Sequence, residues 1–469
     1  MREKKRSRRP AALLLACLLL AGCARAKPAV TAPAETEPPV TAAPATPPTP
    51  APTPEPTPTP SPTPVPTAVP VTELTASRPI VNGIEVFPYL VPGETDAEML
   101  VCWTGNGSAD ALRVLYGEDD GSGALPETPL SAEVTRTSAT LSDAAWRDAF
   151  FRAVLTVEPG KRYVYGISEN GAAPTVAYPF VAADADRGFS AVFLSDSHIE
   201  NDRHAAAYET AAEAALRLAL TDGHGLDGIF HLGDMVNKLD ESPGVMVNNA
   251  PIMRSIPTTA VVGNHDALAA ITSFFPGAHK DHNTWDYWFV RGGVLFIGLN
   301  IRYTNYDRHA IFLRSIPEAA GEHDWTVVLV HYSMRTNGSH GIDRPVFNLW
   351  YFLGPIMEEL DVDLVISGHD HEYDRAGLMD SSGEAAEPAG TVLEKQPGQM
   401  LFVCVPSATG TKFYDHNIKT DVPMAAEALE RAPGFVLADF SREEIRFRVV
   451  NVQTGEQVDE FTLRRAQTD

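Results

Sequence analysis

The sequence predicts a layered α/β domain preceded by a small all-β sandwich, and three observations lead to this prediction. Apolar strand-like runs alternate with helical segments from about residue 188 to residue 455, which is the pattern of an α/β fold. Residues 78–183 hold shorter alternating runs separated by Gly, Pro and Asp, as in an antiparallel sandwich. A proline-rich tract precedes both regions.

Residues 1–22 have the features of an export signal. A basic start precedes the apolar run Ala11 to Leu20, which is too short for a good membrane-spanning helix. The segment Leu20-Ala21-Gly22-Cys23 that follows resembles the cleavage site of bacterial lipoproteins. The resemblance implies a lipid on Cys23 and an extracytoplasmic protein anchored to the bacterial membrane. The alternative is an ordinary cleaved signal.

Residues 23–77 are predicted to be a disordered linker. The stretch 28–70 holds 17 of the 38 prolines and no aromatic residue, so it cannot bury enough apolar surface to fold. In polyproline II geometry, at about 3.1 Å per residue, this stretch would reach roughly 130 Å. Such a segment can act as a stalk or as a simple linker.

The sandwich at residues 78–183 is expected to bury its aromatic residues. Trp103, Tyr163 and Tyr165 lie within strand-like runs, where aromatic side chains usually belong to the core. The segments 101–103 and 157–165 resemble a fibronectin type III-like module, of the kind that precedes the catalytic domain in purple acid phosphatases.

Charge and cysteine content exclude several classes of protein. The formal net charge is -24, which argues against nucleic-acid binding as a function. Cys17 would leave with the signal and Cys23 would carry lipid, so Cys102 and Cys404 remain, each in an apolar run. No disulfide framework or thiolate metal site is therefore predicted.

Five short polar motifs in the α/β region each follow an apolar run, and functional side chains gather at the carboxyl ends of such strands. The motifs are Asp196-Ser197-His198, Gly233-Asp234, Gly263-Asn264-His265-Asp266, His331, and Gly368-His369-Asp370-His371. The candidate ligand set within these motifs, which consists of two Asp, one Asn and four His, suits Mn, Fe or Zn better than Ca or Cu(I). Two such ions need a shared anion, and Asp234 is the natural bridge.

In this order the motifs resemble the calcineurin-like metallophosphoesterase superfamily, whose fold is a β-sandwich core flanked by helices. The resemblance implies a catalytic domain over 188–455, followed by a tail at 456–469. It also implies that His265 is the catalytic histidine. One metal would be held by Asp196, His198, Asp234 and His371, and the other by Asp234, Asn264, His331 and His369.

The residues around His265 suggest further roles. Asp266 could hold the imidazole of His265 in place and raise its pKa, or it could simply form a turn. Arg335 and His340, in the segment that follows His331, are candidates for contacting phosphate, although solvent exposure explains polar loop residues equally well.

The segment Gly368 to Arg375 looks like the Gly-His-x-His-x-Tyr-x-Arg signature of purple acid phosphatases. Those enzymes bind iron through the tyrosine of Gly-Asp-x-x-Tyr, whereas this chain has Asn237 at that position. We therefore expect no purple chromophore, and we expect Tyr373 to lie outside the metal coordination.

The predicted function is hydrolysis of phosphate esters by two transition-metal ions at the cell surface, with phosphomonoesters favoured. A phosphodiesterase or 5′-nucleotidase-like enzyme is the first alternative. A non-catalytic surface binding protein with a degraded α/β domain is the second. The oligomeric state, the metal pair and the natural ester are left open by the sequence.

Overall fold

The computed structural model describes residues 68–138, 149–301, 305–384, 390–414, 420 and 422–466. The predicted signal, Cys23 and the linker up to residue 67 lie outside the described residues. Within the described part of the chain, no helix is long and apolar enough to cross a membrane.

The N-terminal domain consists of short antiparallel strands, and the prediction of an all-β domain is confirmed. Its strands are β1 (Ile80–Val81), β2 (Ile84–Glu85), β3 (Tyr89–Pro92), β4 (Glu98–Gly105), β5 (Leu112–Glu118), β6 (Leu130–Glu133), β7 (Thr135–Ser138), β8 (Ala149–Thr156), β9 (Arg162–Glu169) and β10 (Tyr178–Val181). Two four-stranded sheets, in the orders β3-β4-β8-β7 and β10-β9-β5-β6, enclose Trp103, Tyr163 and Tyr165.

The second domain contains fourteen strands and five α-helices within the described residues. Its strands are β11 (Phe189–Leu194), β12 (Gly228–His231), β13 (Thr258–Ala260), β14 (Tyr287–Arg291), β15 (Val294–Leu299), β16 (Trp325–Val330), β17 (Leu364–Ser367), β18 (Tyr373–Ala376), β19 (Val392–Lys395), β20 (Leu401–Cys404), β21 (Met424–Ala428), β22 (Gly434–Phe440), β23 (Glu444–Asn451) and β24 (Gln457–Arg465). Its helices are α1 (Asp202–Thr221), α2 (Gly244–Asn249), α3 (Leu268–Phe274), α4 (Tyr306–Ala320) and α5 (Arg344–Glu359). Two 3-10 turns lie at Val71–Glu73 and Pro251–Arg254.

Two seven-stranded sheets stack face to face, and helices cover their outer faces. The sheet orders are β13-β12-β11-β22-β23-β24-β19 and β14-β15-β16-β17-β20-β18-β21. Because side chains alternate along a strand, Phe193 of β11 packs between the sheets while Val192 and Leu194 pack with the helices. This arrangement confirms the predicted layered α/β class.

Helix α1 shows how the sequence builds one outer layer. Asn201 caps its first turn by accepting hydrogen bonds from the backbone N–H groups of Arg203 and His204, which satisfies donors that have no partner inside the helix. Its buried face is rich in small residues, including Ala205, Ala212 and Ala219. Small side chains let the helix lie close to the sheet.

Two boundaries differ from the sequence prediction. Strand β24 pairs with β23 and β19, so the sheet continues through the segment predicted as a tail at 456–469. Only Phe461 and Leu463 of β24 are fully buried, and for this reason the segment has the polar composition of a tail. Residues 68–77, predicted as the end of the linker, are also packed: Val69 is buried, and Arg254 Nη1 donates to the Thr75 carbonyl oxygen at 2.6 Å.

The sandwich and the α/β domain meet through buried polar contacts, which we call the domain joint. The Tyr89 hydroxyl donates to the Phe274 carbonyl oxygen at 2.8 Å, and the Tyr165 hydroxyl donates to that of Arg254 at 2.9 Å. Arg291 Nη1 donates to two sandwich carbonyl oxygens, each at 3.0 Å. These bonds connect the two domains directly.

Candidate metal centre

The five polar motifs meet where the carboxyl ends of both sheets come together. Three of them follow β11, β12 and β13, which are parallel neighbours in one sheet. The other two follow β16 and β17, which are parallel neighbours in the other sheet. The candidate site therefore lies across the top of both sheets, and each sheet contributes side chains to it.

The backbone at the site adopts a conformation that is rare for residues other than glycine. Asp196, His198, Asp234, His369 and His371 have φ values of 49°, 43°, 52°, 76° and 62°. The left-handed region costs free energy for residues with a Cβ atom, and such strain gathers at functional sites. The fold therefore holds these five side chains in place at an energetic cost.

The glycines of the motifs leave room for this crowding. A Cβ atom on Gly263 would lie 2.1 Å from Asp234 Oδ1, and one on Gly233 would lie 2.6 Å from His331 Nδ1. A Cβ on Gly368 would lie 2.5 Å from Asp196 Oδ2. All three separations are too short for real contacts, so these positions need glycine.

Asp196, His198, Asp234 and His371 form a buried cluster, which we call the four-ligand half. One possible ligand atom from each lies within 4.8 Å of the others. The Nε2 atoms of His198 and His371 are 3.2 Å apart, and Asp196 Oδ1 is 3.3 Å from His371 Nε2. Asp234 Oδ2 is 3.7 Å from His198 Nε2.

Asn264, His331 and His369 lie on the other side of Asp234 and form the second half. His331 Nε2 is 3.0 Å from Asn264 Oδ1 and 3.5 Å from Asp234 Oδ1. The two oxygens of Asp234 therefore face different halves, which suits a bridging carboxylate. The His369 ring lies 5.0 Å from the His331 ring, centre to centre.

The residues present fit two metal ions. With bonds of about 2.0–2.2 Å, ligand atoms around one ion lie roughly 3.0–3.6 Å apart, close to the separations of His371 from His198 and Asp196 and of His331 from Asn264 and Asp234. His198 Nδ1 is buried and has no hydrogen-bond partner, although buried polar atoms nearly always have one. The donor set of carboxylate, amide oxygen and imidazole suits Mn, Fe or Zn.

The electrostatics favour the metal-binding forms of His198, His369 and Asp196, whereas the pKa values of two other ligands are shifted the opposite way. Burial raises the pKa of Asp234, and the Asp234 carboxylate raises the pKa of His331 against the effect of burial. Burial lowers the pKa of His198 to about 3 and holds the pKa of His369 well below its usual value, so both imidazoles are neutral. Burial opposes ionisation of Asp196, but the nearby His371 side chain keeps the pKa of that carboxyl well below its usual range. Neutral imidazole and ionised carboxylate are the forms that bind cations.

The catalytic candidate His265 is oriented by Asn237 and not by Asp266, which differs from the sequence expectation. His265 Nδ1 lies 2.7 Å from the Asn237 carbonyl oxygen. The buried carboxylate of Asp266 instead accepts hydrogen bonds from the backbone N–H groups of Gly263 and Val236. Asp266 therefore holds two motif loops together, and the ring nitrogens of His265 have other neighbours.

Of the two candidate phosphate contacts, the structure brings only His340 to the site. Its ring lies 4.4 Å from the His369 ring, centre to centre, and its Nδ1 is 3.0 Å from Asp370 Oδ1. Arg335 instead lies over the Trp350 ring at 4.9 Å and donates to Met379 Sδ, because its chain packs against α5.

Tyr373 and Asn237 lie as the departure from the purple acid phosphatase pattern suggests. The Tyr373 hydroxyl donates to Asp459 Oδ2 at 2.7 Å, and Arg375 Nε donates to the same oxygen at 2.8 Å. The Tyr-x-Arg part of the signature thus holds β24 in place. Asn237 Nδ2 donates to Glu200 Oε1 at 2.6 Å.

Sequence reasoning missed a sixth segment, residues 407–414, which follows β20. The hydroxyls of Ser407 and Thr409 donate to the carbonyl oxygens of Asp196 and Ser197, at 2.9 Å and 2.7 Å. Lys412 supplies the carbonyl oxygen that lies 2.8 Å from His371 Nδ1. A polar, glycine-containing run after an apolar strand was the available signal, and it matches the pattern of the other motifs.

Residues 189–373 match the sequence profile of the calcineurin-like phosphoesterase family. The chain therefore contains a calcineurin-like metallophosphoesterase domain, preceded by an all-β domain. No match was found among curated proteins.

Two solved structures share the fold of most of the chain. A purple acid phosphatase, PPD1, from yellow lupin (Lupinus luteus) seeds is 16% identical with a TM-score of 0.62, over 81% of this chain and 74% of its own. PhoD is 12% identical with a TM-score of 0.52, over 84% of this chain and 96% of its own. At these identities the likeness concerns the fold alone.

Proposed function

We propose that the protein hydrolyses phosphate esters, with phosphomonoesters preferred, using two transition-metal ions held by the seven motif residues. The observation that carries the proposal is the position of Asp234, whose two carboxylate oxygens face the four-ligand half and the second half separately. A carboxylate placed in this way can be shared by two ions, and its Oδ1 atom also accepts a hydrogen bond from the His265 backbone N–H.

The side chains around the metals have separable tasks in this proposal. Bound ions would supply Lewis acidity, which lowers the pKa of a water molecule and neutralises phosphate oxygens. His265 is part-exposed, with Nε2 4.0 Å from Asp234 Oδ2, so it can approach a phosphate group or donate a proton to the leaving group. His340 flanks the second half beside His369.

Metal analysis combined with a substrate panel tests the proposal. Protein stripped with a chelator and then reloaded with Mn, Fe or Zn should bind two ions per chain. It should hydrolyse aryl phosphomonoesters faster than matched diesters. One ion or none in active protein would contradict the dinuclear site, and binding of two ions without turnover of any ester would support the binding-protein alternative.

We also propose that the enzyme acts outside the cytoplasm, anchored by lipid on Cys23. The support is the lipoprotein-like sequence at residues 20–23, followed by the proline-rich tract. Cys23→Ser should give protein with normal turnover that is no longer in the membrane fraction. Unchanged membrane retention of that variant would refute the anchor.

A further inference from the structure

We propose that Lys412 binds the phosphate group of the substrate together with His265, and that its charge selects phosphomonoesters over diesters. This inference rests on the proposed phosphate-ester function and goes further by naming the residue that sets the substrate class. Lys412 lies outside residues 189–373, the part of the chain that matches the family.

The position of Lys412 is fixed by the metal-centre motifs. Its carbonyl oxygen lies 2.8 Å from Nδ1 of His371. The neighbouring Thr411 hydroxyl donates to the Ser197 carbonyl oxygen at 2.9 Å. The backbone of Lys412 is therefore bonded to the four-ligand half, and its side chain begins beside the metal ligands.

The side chain of Lys412 points toward the ring of His265, the catalytic candidate. Its Nζ atom lies 3.4 Å from His265 Nε2 and 5.0 Å from the centre of the Tyr414 ring. No carboxylate among the described residues forms a salt bridge with this ammonium group. Both Lys412 and His265 are part-exposed, so an incoming ligand can contact both.

The charge balance of the loaded site calls for an anion at this point. Two divalent ions outweigh the carboxylates of Asp196 and Asp234, and Lys412 adds further positive charge. Like charges close together near a protein surface repel each other because the effective dielectric constant there is well below that of water, so a bound anion relieves this repulsion. A monoester carries close to two negative charges at pH 7 because its second pKa is about 6, whereas a diester carries one.

Two substrates that share a leaving group but differ by one charge distinguish selective binding of the monoester by Lys412 from a general effect of Lys412 on catalysis. We would compare p-nitrophenyl phosphate with methyl p-nitrophenyl phosphate, which has the same leaving group and one charge fewer. Lys412→Met should lower kcat/KM for the monoester about 10- to 100-fold, the usual range for losing a charge-assisted hydrogen bond. The diester should change much less, and the inhibition constant of inorganic phosphate should rise with the monoester loss.

Two further variants provide controls. Lys412→Arg keeps the charge and should recover most of the monoester activity, while Lys161→Met removes an exposed lysine of the sandwich and should change nothing. Metal content should stay at the wild-type level in all three. Equal losses for both esters, loss of metal, or no loss in Lys412→Met would each overturn the assignment.

Failure of the proposed function has a different signature. Wild-type protein that hydrolyses neither ester would refute that function, and titration calorimetry with inorganic phosphate would then decide the role of Lys412. Weaker phosphate binding by Lys412→Met would still support it as an anion ligand. Equal binding by wild type and Lys412→Met would refute it.

Discussion

The metal centre and the domain joint both bury polar groups, but the joint pairs most of its groups across the two domains, with the Nε and Nη2 atoms of Arg291 as exceptions. At the joint, the hydroxyls of Tyr89 and Tyr165 each donate to a carbonyl oxygen of the α/β domain. At the metal centre, the Nε2 atoms of His198 and His371 face each other, and His198 Nδ1 has no hydrogen-bond partner.

The contrast separates stability from function. Satisfied polar groups hold domains together, whereas unsatisfied groups on a strained backbone lower stability unless a ligand completes them. We infer that the joint stabilises the molecule and that the metal centre depends on bound ions. Substitutions at the centre should therefore change activity more than stability, and substitutions at the joint should do the reverse.

The largest expected effect is that of Asp234→Asn. This change removes the carboxylate charge that faces both halves, so activity should fall by more than the about 10²- to 10⁴-fold that a lost acid or base typically costs. Burial raises the pKa of Asp234, so a neutral amide should leave the metal-free protein at least as stable. Near-normal turnover of Asp234→Asn, or a large drop in the Tm of its metal-free form, would contradict the view that the metal centre serves activity more than stability.

His265→Ala should give the next largest effect, about 10²- to 10⁴-fold in kcat, because its ring contacts the substrate and binds no metal in the proposed arrangement. Elemental analysis should show two ions per chain, as in wild type. The matched control is His224→Ala, an exposed histidine near the amino end of β11. A loss of metal in His265→Ala would mean that the ring has been assigned the wrong role.

Arg291→Met tests the joint. Arg291 is buried and donates to the carbonyl oxygens of Thr95 and Glu98, while its Nε and Nη2 atoms have no partner. Methionine keeps the apolar stem and loses both bonds, so unfolding should become easier by about 2–3 kcal/mol. Chemical denaturation measures this, with exposed Arg217→Met as the control. Normal stability of Arg291→Met together with a reduced kcat/KM would mean that the joint serves activity more than stability.

Glu209 of α1, whose Oε1 atom accepts a hydrogen bond from the Ile252 backbone N–H, lies outside both regions, and its effect on stability depends on pH. Burial raises the pKa of Glu209 to about 8, and its Oε2 atom has no partner. The folded state thus keeps a proton that the unfolded chain releases above about pH 4.5, so this group makes stability fall from that pH up to about pH 8. Glu209→Gln should match wild type near pH 4.5 and be more stable at pH 9, on the order of 2 kcal/mol. The same difference in free energy of unfolding between wild type and Glu209→Gln at both pH values would contradict the raised pKa of Glu209.

The smallest expected effect is spectral. Iron-loaded, oxidised protein should lack an intense tyrosinate band, because Asn237 occupies the position of the tyrosine ligand and the Tyr373 hydroxyl is bonded to Asp459. A visible spectrum checks this. An intense band that disappears in Tyr373→Phe would show that Tyr373 leaves its hydrogen bond to bind metal, which would break the contrast between satisfied and unsatisfied groups.

The sequence by itself determined the layered α/β class and the set of residues that meet at the metal centre. Each motif follows an apolar strand, and strand direction alone places the carboxyl ends of parallel neighbours together. Each of these motifs can be recognised from a few neighbouring residues, without knowledge of distant contacts. For the same reason, Asn237 was visible as a departure from the tyrosine pattern.

Tertiary structure decided which side chains support the centre. Asp266 bonds to the Gly263 and Val236 amides and not to the His265 ring, and residues 407–414 reach the Asp196 motif from more than 200 residues away. Strand β24 joins the sheet although only two of its side chains are fully buried. Such contacts depend on how the two sheets stack, and the spacing of residues along the chain does not contain that information.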